Sequence, residues 1–141
     1  MPLNTRSNHR EPVSSEVDII FSEAVARTIK MSASRGSASG AASLKAKLLD
    51  ISLTGCGVQM SYLIPNGVVA DIVINPGPLA SIAGVEHTEA IKATVKVTSS
   101  TMKGPGVYRL GLFFTNIPKE NLDLIDLFIK KSLEKAKTPH P

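Results

Sequence analysis

The residues with types and spacing suited to chemistry fall in two short stretches, RSNHR at 6–10 and DISLTG at 50–55. In the first, Arg6 and Arg10 stand four apart on a polar segment that runs into Pro12 and Val13. In an extended chain, positions four apart point the same way, so two guanidinium groups face one object. Their planar, forked donors match phosphate oxygens and the O6/N7 edge of guanine. Taken alone, the pair is also what an unstructured basic terminus looks like. In the second stretch, Asp50, Ser52 and Gly55 close one strand and open the next. A carboxylate there can accept hydrogen bonds from the N1–H and amino group of a guanine, with the Ser52 hydroxyl beside it. Gly55 permits a positive φ or a close backbone approach. Taken alone, this stretch reads equally as a simple Asx- or Ser-type turn.

The elements that must position these groups are mostly strands. Residues 44–51 alternate, with Leu44, Ala46 and Leu48 on one face and Lys45 and Lys47 on the other; period 2 marks a half-buried strand. After the turn at 52–55, residues 57–60 resume the extended pattern. Pro65-Asn66-Gly67 is a turn signal, and the β-branched run 68–74 suits a buried strand. Residues 91–98 alternate again, Lys103-Gly104-Pro105-Gly106 connects, and 107–116 returns, which is a hairpin pattern. Residues 16–21 and 24–33 are further strand candidates; 75–78 reads as a turn and 79–89 as a loop with a short strand. The Ser/Gly/Ala-rich segment 32–43 reads as a mobile loop. From Pro118 the period changes: Leu122, Ile125, Ile129 and Leu133 follow helical spacing, and the helix is expected to pack on the sheet. The expected architecture is mainly β, a six-stranded antiparallel barrel. Residues 1–12 form an extended or flexible arm, 13–117 the barrel and 118–137 the closing helix, one domain in all.

Composition excludes several classes. With 141 residues, 43% hydrophobic, 20% charged and a net charge of +4, a single domain with a genuine core is expected. Trp is absent and aromatics make up 4%, too few stacking platforms for single-stranded nucleic acid. The basic residues are scattered except for Lys130, Lys131, Lys135 and Lys137, which complement a helix C-terminus; a polymeric nucleic-acid partner is not expected. Cys56 is the only cysteine, and His9, His87 and His140 lack ligand-spaced neighbours, so neither metal nor cofactor is expected. The first twelve residues lack the apolar core of a secretory signal, and the longest apolar stretch is too short to span a bilayer. The expected location is the cytoplasm, without membrane insertion. Cys56 reads as a small strand residue; Arg109 could assist in holding an anion, but an exposed strand residue is the simpler reading. No nucleophile–base pair supports a hydrolase.

Together the two stretches resemble PilZ domains, a family that combines Arg-x-x-x-Arg on an N-terminal arm with an Asp/Asn-x-Ser-x-x-Gly turn on a six-stranded barrel. LLDISLTGCGVQM, LIPNGVVADIVI and VYRLGLFFTNI, with Gly111 and Phe113, look like strands of that barrel in order. The resemblance covers roughly residues 6–130. It implies a non-enzymatic receptor for the bacterial second messenger cyclic di-GMP. Arg6 and Arg10 would contact guanine edges and phosphates, Asp50 and Ser52 a guanine, and Gly55 would complete the turn. It implies that the arm folds over the ligand and that a downstream protein partner reads the result. The family also contains adaptors that ignore the nucleotide and act by protein contact. The chain between Arg10 and Asp50 is longer than is usual in the family, with the excess at 32–43. Such a site therefore requires that the arm still reach the turn.

Overall fold

The computed structural model describes residues 10–28, 42–87 and 89–137. Its elements run β1 (Glu11–Phe21), α1 (Glu23–Thr28), β2 (Ala42–Ile51), β3 (Gly55–Met60), β4 (Val69–Ile74), α2 (Gly77–Ala83), β5 (Ile91–Gly104), β6 (Val107–Asn116) and α3 (Lys119–Lys137). The six strands close into a barrel in the order β1-β2-β3-β6-β5-β4, with β1 pairing β4 to complete the ring. Every pairing is antiparallel.

Alternation sets which side chains fill the barrel. Val17, Ile19 and Phe21 of β1 are buried, as are Leu48, Val58, Ile72, Val95 and Leu112 from the other strands. Each such side chain contributes about 1.5–3 kcal/mol over its exposed state, which offsets the entropy of ordering the strands. The hairpin expected between 91–98 and 107–116 is present and longer: Gly104 pairs with Val107 across Pro105-Gly106. Helix α3 buries Leu124, Ile125, Phe128 and Ile129, and Asn121 Nδ2 ties it to the sheet by donating to the Lys92 carbonyl at 3.2 Å.

Two segments differ from the expectation. The candidate strand 24–33 begins instead as helix α1, and its residues 29–33 lie outside those described. Local capping outweighs alternation there: the Val25 N–H donates to Ser22 Oγ at 3.3 Å and Glu23 sits in the first turn, a favourable N-terminus for a helix. In place of the turn and loop at 75–89, residues 77–83 form α2, which packs on α3. Pro78 lies in its first turn and Gly84 closes it in the left-handed region at φ 76°. Pro and Gly that suggest a turn are here the start and stop of a helix.

Candidate ligand-binding site

Asp50 is the penultimate residue of β2. The inward alternation of Leu44 and Leu48 would carry it into the core. A one-residue irregularity prevents this: Leu48 pairs with Val58, yet Asp50 pairs with Gly57. The extra residue, Leu49, shifts the parity, so that Ile51 is fully buried and Asp50 faces outward. A bulge re-aims a side chain in this way. The adjoining β1 is irregular too, between Pro12 and Ser15, and Pro12 is the partner of Asp50.

Two arginines converge on this carboxylate. Arg10, immediately before β1, places Nη1 3.0 Å from Asp50 Oδ1. Arg109, on β6, places Nη2 2.8 Å from Asp50 Oδ2. The Asp50 side chain is 15% exposed, against 43% for Arg10 and 36% for Arg109. Burial by itself raises the carboxyl pKa, but the hydrogen bonds and charges of Arg109 and Arg10 outweigh it and hold the group below its ordinary 3.8. The cluster is thus ionised at neutral pH and carries one surplus positive charge. A carboxylate has about four lone-pair sites, so each oxygen retains acceptor capacity beside its arginine.

The floor beneath is glycine. Asp50, Gly57 of β3, Gly111 of β6 and Ser99 of β5 are register neighbours in turn. A Cβ on Gly57 would stand 2.9 Å from both Arg109 Nη2 and Asp50 Oδ1, so the ion pair lies directly over this residue. Gly55 has a different reason. It is not among the positive-φ glycines; a Cβ there would collide with the Leu112 carbonyl oxygen. Close approach of β3 to β6 demands it.

Ser52 holds the turn together. Its hydroxyl accepts the N–H groups of Thr54 and Gly55, each at 3.2 Å, and lies 3.2 Å from the Gly55 carbonyl. The residue is 1% exposed. Of the expected site residues, then, Arg10 and Asp50 touch, Ser52 and Gly55 shape the turn that carries Asp50, and Arg6 lies outside the described residues. Arg10 spans the long intervening chain to reach the turn. Arg109 and Gly57 complete the cluster; the reading from sequence misses Gly57 and ranks Arg109 first as an exposed strand residue. Their signal is non-local, since 59 residues separate Arg109 from Asp50.

Cys56, next to the turn, points inward. Burial pushes its thiol up to about 12, with Arg10 acting to lower it and Asp50 to raise it. A neutral, enclosed thiol is a poor nucleophile. The folded protein is expected to resist a disulfide thiol reagent at pH 8 and to react only once denatured; stoichiometric reaction of the native protein would contradict this placement.

No family model and no curated protein matches the chain. Solved structures do match. The inhibitor of motility MotI/DgrA of Bacillus subtilis aligns with TM-score 0.61 at 16% identity, covering 91% of this chain and 51% of that one. YcgR of Escherichia coli, solved in complex with c-di-GMP, aligns with TM-score 0.58 at 16% identity, covering 92% and 46%. The isolated PilZ domain of YcgR with c-di-GMP aligns with TM-score 0.50 at 16% identity, over 93% of this chain and 98% of that one. The chain has the PilZ fold. It spans about half the length of the first two proteins and nearly all of the isolated domain. Within this PilZ barrel the Arg10–Asp50–Arg109 cluster lies on the outside, while the interior is filled by the apolar core. Among the described residues the PilZ barrel has no group of three or more acidic, His or Cys side chains placed to hold a metal ion. No described helix is long and apolar enough to cross a membrane.

Proposed function

We propose that this chain is a cytoplasmic receptor for cyclic di-GMP, without catalysis of its own, which signals to a protein partner. The ligand lies on the outer face of the barrel over Gly57. Asp50 accepts from one guanine, Arg10 and Arg109 donate to guanine edges and phosphates, and Ser52 and Gly55 hold the turn in shape. Arg6 joins when the arm closes over the dinucleotide. The observation that carries this reading is the convergence of Arg10 and Arg109 on Asp50 at 3.0 and 2.8 Å. It assembles, on one glycine floor, cationic forks for an anion and a carboxylate for a guanine edge. The resemblance of the motifs and of the fold to domains solved with c-di-GMP supports it further.

Calorimetric titration tests it. Saturable binding is expected, weakening as salt is raised because the ligand is a dianion and the cluster is partly open to solvent. A titration of the folded protein with no saturable heat removes the ligand from the proposal.

One observation favours a second reading. Both Asp50 oxygens already have guanidinium partners, so the cluster is also a self-sufficient clasp between β1, β2 and β6. In that case the chain is an adaptor acting by protein contact, and it co-purifies with a partner in the absence of nucleotide.

A further inference from the structure

Phe113 occupies a place on the outer face that the barrel does not need it to fill. It lies on β6 between the buried Leu112 and Phe114, and is 49% exposed. Its register neighbours are Gly55 on one side and Lys96 on the other. Gly55 has no side chain, so the ring meets no side-chain wall toward β3. Phe113 shares the outward parity of Gly111 and Arg109. It stands two residues, about 6.7 Å, from the row of Asp50, Gly57 and Gly111. Phe21, Phe114 and Phe128, by contrast, are buried in the core.

An isolated exposed apolar side chain is ordinary on a protein surface. The setting distinguishes this one: among the described residues Phe113 is the only aromatic of the exposed large hydrophobics, and it borders the glycine floor and the paired arginines. A planar ring stacks at about 3.5–4 Å from each neighbour. The spacing between the cluster row and Phe113 is therefore the thickness of a slot for one flat heterocycle, with a guanidinium on one side and a phenyl ring on the other. Lys96 beside it offers a cation to a phosphate attached to that heterocycle.

Resting on the cyclic di-GMP reading above, we propose that Phe113 is a base-stacking residue of the site, holding one guanine of the dinucleotide against β6 over Gly55. Asp50 and the arginines select the edge and the charge. Phe113 selects for an aromatic base as such, so a ligand with the same phosphates but no base binds poorly.

The test uses the full chain and c-di-GMP as the probe. Phe113→Ala is expected to melt like the wild type and to bind roughly 5- to 150-fold more weakly. Phe113→Trp introduces the only tryptophan in the chain. This second variant is expected to retain binding, and its indole emission is expected to fall as guanine stacks on the ring. Two outcomes overturn the stacking role and leave the cluster intact: wild-type affinity in Phe113→Ala, or indole emission of Phe113→Trp unmoved at saturation. Absence of binding by the wild type overturns the cyclic di-GMP reading itself, and the stacking role with it.

Discussion

Gly55→Ala is expected to destabilise the protein severely, lowering its melting temperature by about 10 °C or more, whereas Gly57→Ala is expected to leave the melt close to that of the wild type and to disturb only the Asp50–Arg109 pair of the candidate site. Both add one methyl group to β3, and what that methyl meets decides the result. At Gly55 it collides with the Leu112 carbonyl oxygen. That atom belongs to the backbone of a strand paired on both sides, and relief requires β3 and β6 to separate where they pair. A clash of this kind exceeds the usual cost of overpacking, about 1–3 kcal/mol, against a total stability of about 5–15 kcal/mol. At Gly57 the methyl meets Arg109 Nη2 and Asp50 Oδ1 at 2.9 Å. These are the ends of side chains and can turn aside, at the expense of the ion pair. Thermal melts of the two variants separate the cases; equal losses would mean that the Gly57 floor is as rigid as the Gly55 crossing.

Asp50→Ala is expected to lose c-di-GMP affinity on the order of 100-fold, as removal of one or two hydrogen bonds to a charged acceptor implies. The direction is informative. If Asp50 serves only to neutralise Arg10 and Arg109, its removal frees two cations for a dianionic ligand and binding strengthens. If Asp50 reads the guanine edge, binding collapses despite the gain in positive charge. Arg10→Ala and Arg109→Ala are expected to weaken binding by roughly 10- to 100-fold each, by the loss of charge-assisted bonds. All three variants are expected to stay folded. Both arginines are more than a third exposed, and ion pairs this open to solvent contribute about 1 kcal/mol or less. Titration of each variant beside the wild type is the measurement. Unchanged binding in all three would move the ligand elsewhere on the barrel.

The barrel is largely legible in the chain because its signals are local. The alternation of residues 44–48 and 91–98, the hairpin at 103–106 and the stripe from Leu122 to Leu133 each declare an element within one window. Helix α1 is less legible because Val25, Ile29 and Met31 keep a strand-like parity while the Ser22 cap decides the matter. The site divides along the same line. Arg10 and Asp50 are found because each lies in a recognisable short motif. Arg109 looks like any exposed strand arginine until β3 and β6 are paired and Gly57 leaves the space through which it reaches Asp50. The outward aim of Asp50 is equally hidden: alternation from Leu44 and Leu48 assigns it to the core, and only the pairing register exposes the shift at Leu49.

That shift makes the site depend on how the end of β2 pairs with β3 as well as on the residues it carries. Without the bulge, plain alternation through Leu49 would drive the Asp50 carboxylate into the barrel and turn Ile51 out to water, whereas a strand shorter by Leu49 would pair regularly and keep both facings. Leu49 is therefore the one position at the end of β2 that the pairing can lose without turning the carboxylate inward, while an extra residue anywhere else in the strand must be absorbed by a bulge of its own.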